Sequence, residues 1–188
     1  MNFITSKAYF CSWKECDYAS FPSESSFKRH VRFHAFHTKL KEIGQNVLNT
    51  LKKNQEAESS QKHQPVPMCN LDELTRNIIP ELPLAFECAW SSCNHSTDNP
   101  ELFYRHIKEH VTNYPTKLRD SQCKWNECEQ IIKSKSRLIE HMRHHSQEKV
   151  VSCPVCGALF SSITRFIDHC SRSTEHGSKQ NLKFLKLF

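Results

Sequence analysis

The stretch CSWKEC, Cys11 to Cys16, returns as CAWSSC at Cys88–Cys93 and as CKWNEC at Cys123–Cys128. Each copy holds two cysteines with four residues between them and a tryptophan two places after the first. Two histidines follow each pair: His30 and His34, His106 and His110, His141 and His145. The gap from second cysteine to first histidine is thirteen residues in the first copy and twelve in the other two. Two thiolates on a short hairpin and two imidazoles at i and i+4 on one helix face make a closed tetrahedral zinc site. A fourth unit opens with CPVC, Cys153 and Cys156, and His169 stands twelve residues on. One match could be chance, but three matches and a near match are an internal repeat, and the repeat decides the architecture.

The apolar residues carry the same period. These units resemble the Cys2His2 finger family, in which an aromatic residue and a leucine lie between the second cysteine and the first histidine. Here the pairs are Phe21/Phe27, Thr97/Phe103, Ile132/Leu138 and Phe160/Phe166, each with five residues between its members and ending three before a histidine. Thr97 is the weak member, which predicts the poorest core for finger 2. So few apolar side chains cannot hold a fold alone, and metal ligation has to supply most of the folding free energy. The fold class is therefore small metal-stabilised α+β: four tandem ββα fingers with a long helical and polar linker between the first two.

Composition agrees. Only 37% of the 188 residues are hydrophobic and the mean hydropathy is −0.65, lean for one large core. Ten cysteines and twelve histidines are far above ordinary usage. An even cysteine count would suit a disulfide-rich secreted protein, but MNFITSKAYF has no long apolar core and histidines follow the cysteines at fixed distances. No run approaches the roughly 20 apolar residues of a membrane span. The expectation is a soluble intracellular protein with no membrane role. HIKEH, His106–His110, matches a metalloprotease pattern, yet Cys88 and Cys93 fill the remaining positions and leave no place for water or substrate. Glu109 is then an exposed helix residue. With glycine only at 44, 157 and 177, no phosphate-cradling loop can be written. Neither an enzyme nor a small-molecule substrate is expected.

Ligand assignment follows from spacing. The expected metal ligands are Cys11, Cys16, His30 and His34; Cys88, Cys93, His106 and His110; Cys123, Cys128, His141 and His145; and Cys153, Cys156, His169 and His176, for three to four Zn2+ ions. In finger 3, His145 at i+4 is favoured over His144 at i+3. His176 breaks the rule, with six residues between it and His169, and reaches the ion only if the helix unwinds after Cys170. Cys170 itself points about 100° away from its neighbour on a helix. A loosely closed or three-ligand site is the other reading of finger 4. His37 and Cys69 read as packing or surface residues.

The domain map is 9–37 for finger 1 with its helix extending to about 53, 54–85 for the linker, 86–110 for finger 2, 121–145 for finger 3, 151–176 for finger 4 and 177–188 for a basic tail. Phe33, Phe36, Leu40, Ile43, Val47 and Leu51 recur at three and four, which predicts the amphipathic helical extension. NQEAESSQKHQPVP reads as polar linker, and LDELTRNIIPELP has enough Leu and Ile to dock. Between His145 and Cys153 lies SQEKVVS, similar to the TGEKP linker of groove-tracking fingers. It predicts that fingers 3 and 4 follow DNA as a tandem.

Net charge is +6. Residues 9–41 hold six Lys/Arg against three Asp/Glu, finger 2 holds two against four, residues 123–176 hold eight against six, and the tail adds three lysines. Basic flanks around an acidic finger imply that not every finger touches phosphate. Trp13, Trp90 and Trp125 sit too near the metal to reach a groove. Either each covers its own miniature core, or, as in Cys-x-Trp-x2-Cys fingers that these resemble, they pack one finger on the next.

RHVRFHAFHTKLK (29–41), RNIIPELP (76–83), DNPELFYRHIKEH (98–110) and SQEKVVSCPVCG (146–157) together resemble the histone nuclear factor P family, zinc-finger activators of histone-gene transcription. The similarity runs from about residue 9 to 170 and includes linker segments that generic fingers lack. The family carries a longer finger array than these four. The resemblance implies a nuclear, sequence-specific regulator that binds double-stranded DNA. The alternative is a protein-interaction module whose fingers 1 and 2 recruit a coactivator. Counting the first ligating histidine as helix position 7, positions −1, 3 and 6 are Ser134, Arg137 and Glu140 in finger 3, and Ser162, Arg165 and Asp168 in finger 4. Side chains there face successive bases, and the two arginines can pair bidentately with guanine. In finger 1 the count gives Ser23, Ser26 and Arg29, and in finger 2 Asn99, Leu102 and Arg105.

Overall fold

A computed structural model describes residues 8–14, 16, 20–57, 66–71, 79–80, 82–114 and 121–175. In chain order the elements are α1 (Glu24–Ala57), β1 (Phe86–Glu87), β2 (Ser96–Thr97), α2 (Pro100–Asn113), β3 (Ser121–Gln122), β4 (Ile131–Ile132), α3 (Lys135–Ser146), β5 (Val151–Ser152), β6 (Leu159–Phe160) and α4 (Ile163–Glu175). Three antiparallel hairpins, β1–β2, β3–β4 and β5–β6, each precede a helix. Among the described residues, the hairpin of finger 1 is one bridge, Tyr9 to Phe21. No helix among the described residues is long and apolar enough to cross a membrane.

The chain divides into two compact units, one formed by residues 1–81 with 149–188 and the other by 82–148. Finger 4 thus folds with finger 1, and finger 3 with finger 2. Glu148 of SQEKVVS is committed within one unit, taking Lys108 at 2.7 Å and Arg143 at 3.4 Å. Val151 and Ser152, at its other end, are fully buried in the other unit.

In the first unit, Ser23 begins α1 by accepting from the Ser26 amide at 3.2 Å, which satisfies one of the free amides of the first turn. The helix runs 34 residues, four beyond the expected end. Phe33, Phe36, His37, Leu40, Gly44 and Leu48 are its buried seam. Of the later members of the apolar period, Val47 packs against the core and Leu51 is half-buried, but Ile43 is 41% exposed. The seam is displaced by one residue because Gly44 has no side chain and lets β5 lie against the backbone. Leu48, Cys69, Val151, Cys153, Cys156, Phe166 and Cys170 form the core of this unit, with Val66 and Phe160 at its margin. His37 crosses to the same hairpin: its Nε2 donates to the Gly157 carbonyl at 2.7 Å and lies 2.9 Å from Ser152 Oγ. It is a packing histidine, fully enclosed.

In the second unit, Asn99 caps α2 by accepting from the Glu101 and Leu102 amides at 2.9 and 3.3 Å, with Pro100 preset for the first turn. Finger 2 does not have the poorest core. Phe86 of β1 stacks near Phe103 at 5.6 Å and near Tyr104 at 6.4 Å, supplying the aromatic that Thr97 lacks. Finger 3 buries Leu138 and Met142.

The two fingers share a backbone seam at their knuckles. Trp90 and Trp125 form an antiparallel bridge, with the Ser91 amide on the Lys124 carbonyl at 2.7 Å and the Asn126 amide on the Ala89 carbonyl at 2.8 Å. Ser92 and Glu127, at matching places in the two knuckles, both take left-handed φ, 64° and 56°.

Candidate metal centres and nucleic-acid face

Each Cys-x4-Cys loop is a tight turn fixed by its tryptophan. The second cysteine's amide donates to the tryptophan carbonyl, Cys16 to Trp13 at 3.2 Å, Cys93 to Trp90 and Cys128 to Trp125 at 2.9 Å. That turn points both sulfurs at the same place. The facing helix presents its two histidines one turn apart, and their Nε2 atoms converge: 3.1 Å for His30 and His34, 3.0 Å for His106 and His110, 3.0 Å for His141 and His145.

Sulfur-to-nitrogen separations complete each group. Cys11–His34 and Cys16–His30 are 3.6 and 3.3 Å. Cys88–His110 and Cys93–His106 are 3.4 and 3.3 Å. Cys123–His145 and Cys128–His141 are 3.7 and 3.4 Å. Zinc bonds of about 2.3 Å to sulfur and about 2.05 Å to nitrogen imply tetrahedral edges of about 3.6 Å for S–N and about 3.3 Å for N–N. The donors fit Zn2+ within a few tenths of an ångström. His145, rather than His144, stands in the third group. Glu109 is exposed on α2, near enough to His106 and His110 for its charge to act on both imidazoles, and it is not one of the four converging donors.

The fourth group is different. Cys153, Cys156 and His169 come together, with Cys156 and His169 at 3.5 Å, but the fourth donor within reach is Cys69. Helix α4 stays intact through Glu175, so the unwinding after Cys170 that a ligand at 176 requires does not occur. His176 itself lies outside the described residues. Cys69 is therefore no idle thiol. The available signal was arithmetic: two cysteines, Cys69 and Cys170, left over and one ligand missing.

Metal-free electrostatics suit these roles. Burial lowers His30, His106, His110, His141 and His145 and brings His34 down to about 3, so each presents a neutral ring to a cation. Burial pushes the Cys88 and Cys123 thiols up to about 11, and their protons must leave when metal enters. In the fourth group, hydrogen bonds from Cys156, Cys170 and Cys69 hold Cys153 far down as a thiolate. Burial opposes charge on His169, but hydrogen bonds to Cys153 and Cys69 outweigh it and raise the imidazole to about 9.

Each tryptophan stacks on its own finger's second histidine: Trp13 on His34 at 4.7 Å, Trp90 on His110 at 4.9 Å, Trp125 on His145 at 5.4 Å. Trp90 and Trp125 also join fingers 2 and 3 through their backbones, whereas Trp13 is 38% exposed and stays with its own site.

The helix starts locate the candidate base-facing positions. Ser134 is the N-cap of α3 and accepts from the Arg137 amide at 3.3 Å. Ser162 does the same for Arg165, also at 3.3 Å, and Arg165 Nη1 donates to Ser161 Oγ at 3.4 Å. The capping serines are occupied by their own backbones, leaving Arg137, Glu140, Arg165 and Asp168 exposed beyond them. In finger 1, Arg29 is buried.

No protein-family model matches the chain. It is 40% identical over 171 residues to a human histone H4 transcription factor, an alignment covering 88% of this chain and 31% of that protein. Its bovine counterpart is 38% identical over 176 residues, 91% of this chain and 32% of the relative. A more distant relative, the pH-response transcription factor pacC/RIM101 of Trichophyton rubrum, is 30% identical over 82 residues, 43% of this chain and 11% of its own. The chain spans about a third of the length of the histone H4 transcription factors it matches.

Proposed function

We propose, from its similarity to histone H4 transcription factors and its resemblance to the histone nuclear factor P family, that this chain acts as a zinc-dependent, sequence-specific DNA-binding regulator of transcription, with histone genes as its targets and the nucleus as its place of action. The observation that carries the reading is the convergence of Cys and His donors in finger geometry along a chain related over nearly nine-tenths of its length to histone H4 transcription factors. Cys11, Cys16, His30, His34, Cys88, Cys93, His106, His110, Cys123, Cys128, His141 and His145 ligate three of the ions.

Each ion, once bound, contributes no reaction chemistry; it fixes a helix against a hairpin. The capped start of α3 supports Arg137 as a reader of one base through its exposed guanidinium, with Glu140 one turn further along. The start of α4 supports Arg165 and Asp168 in the same roles. Arginine fits guanine O6 and N7 as a two-pronged donor. Ser134 and Ser162 set the helix entry and act through the arginines.

Finger 2 supports a second reading, that of a surface for a coactivator. It is acidic, and at its central base-facing position it carries Leu102, 40% exposed, which can neither donate nor accept a hydrogen bond at a base edge. An electrophoretic shift with a histone-gene promoter duplex separates the two. The DNA-binding reading predicts a zinc-dependent complex that survives excess unrelated duplex. A complex that unrelated duplex competes away equally would leave fingers 1 and 2 as protein-binding modules.

A further inference from the structure

Finger 4 carries two cysteines and one histidine of its own, and every thiol near it is buried: Cys153 and Cys170 are fully enclosed, Cys156 is 5% exposed and Cys69 is 7% exposed. Cys69 belongs to the polar linker between fingers 1 and 2, yet its sulfur falls within 4.8 Å of the donor atoms of Cys153, Cys156 and His169. It hydrogen-bonds with Cys153 and with His169. Val66, three residues before it, packs on the same core with Leu48 of α1 and Phe166 of α4.

The local backbone is what a metal-bound thiolate needs. The Leu71 amide donates to Cys69 Sγ at 3.4 Å. The Trp13 amide donates to Cys11 Sγ, also at 3.4 Å and from the same i+2 position. An N–H aimed at a sulfur from two residues on stabilises the thiolate charge, so Cys69 has the second-residue support that a finger cysteine has. Cys170 occupies a different place: it contacts Cys153 and takes the Cys69 amide as a hydrogen bond. It steadies the linker beside the site and is not in the converging set of four.

We propose that Cys69 is the fourth ligand of the C-terminal zinc site, making it a Cys3His centre assembled from the linker and finger 4. The site is then not a finger closed on itself. It binds linker, long helix and last finger into one metal-held unit, so the first unit cannot fold by segments. Three thiolates give the site one more negative charge than its neighbours and a softer donor set.

The inference rests on the zinc-finger reading of the other three groups, and the test reports on the two separately. The full chain is loaded with 113Cd2+ in place of zinc and followed by cadmium NMR. Sulfur ligation moves the resonance downfield, so four signals are expected: three together from two-sulfur sites and one displaced downfield by the third thiolate. Cys69→Ser should abolish or move the downfield signal and leave the other three. Cys69→His, which restores a donor, should return a fourth signal to the two-sulfur range. His176→Ala and Cys170→Ser should each leave the downfield signal in place. A downfield signal that persists in Cys69→Ser, or disappears in His176→Ala or Cys170→Ser, overturns the assignment of Cys69. Four signals all in the two-sulfur range overturn it as well. Absence of the three two-sulfur signals would instead bring down the finger reading on which it stands.

Discussion

Gly44 of the long first helix faces the carbonyl oxygen of Ser152 so closely that a Cβ at that position would collide with it. The obstacle is backbone, with Pro154 close behind, so it cannot swing aside. Gly44→Ala should therefore destabilise the first unit, although alanine improves helix propensity by about 1 kcal/mol. Overpacking of this kind costs about 1–3 kcal/mol, and the clash should win. Denaturant unfolding of the zinc-loaded protein, followed by amide signals of residues in α1 and α4, measures it. A variant as stable as the parent would mean that α1 does not pack on β5.

Trp90 is buried, stacks on His110 and meets Tyr114 edge-on at 5.7 Å. Trp90→Ala should cost about 3 kcal/mol and loosen finger 2 against finger 3 while both ions stay bound. Trp13→Ala should cost less, because Trp13 is already 38% exposed. Amide shifts in the Ala89–Asn126 and Ser91–Lys124 seam report the difference. Equal effects of the two substitutions would speak against the shared knuckle.

Metal affinity should depend on pH with a definite sign. The buried Cys88 and Cys123 thiols have folded, metal-free values of about 11, above the ordinary thiol range. Without metal, their contribution to stability is present below the ordinary thiol pKa and is lost as pH rises toward 11. Metal reverses the demand, since it binds thiolates. At neutral pH each Cys2His2 site should release about two protons on loading, so its affinity falls as pH falls. Calorimetry in buffers of different ionisation enthalpy counts these protons; a count near zero would contradict protonated thiols in the metal-free fold.

Arg137→Ala and Arg165→Ala should each weaken binding to a selected DNA site by roughly 1–3 kcal/mol and relax preference at one base pair. Arg105→Ala, in acidic finger 2, should matter less. Competition across single-base variants at fixed salt tests this, because phosphate contacts scale with salt. If both mutants lose affinity equally for every variant, the arginines hold the backbone and read nothing.

Much of this was legible in the sequence because the relevant geometry is local. Cys-x4-Cys and His-x3-His bring their donors together within one hairpin and one helix, and Ser134 and Ser162 mark helix starts by the amides they cap. What stayed hidden depends on residues far apart in the chain. Cys69 has no neighbouring cysteine to announce it, and its role appears only when the linker folds onto finger 4. His37 and Gly44 look ordinary in a helical period, yet they are the points where α1 meets the last hairpin. Phe86 precedes the first cysteine of finger 2, outside the interval where the family's core pair is sought, so Thr97 made that finger look weaker than it is.

The central claim is that metal builds both units of this chain, and native mass spectrometry of the zinc-loaded protein tests it most directly. The account predicts four Zn2+ ions bound to a chain whose ten cysteines are all reduced, with unfolding when a chelator removes the ions. Three ions or fewer, or a mass lowered by paired cysteines, would contradict it.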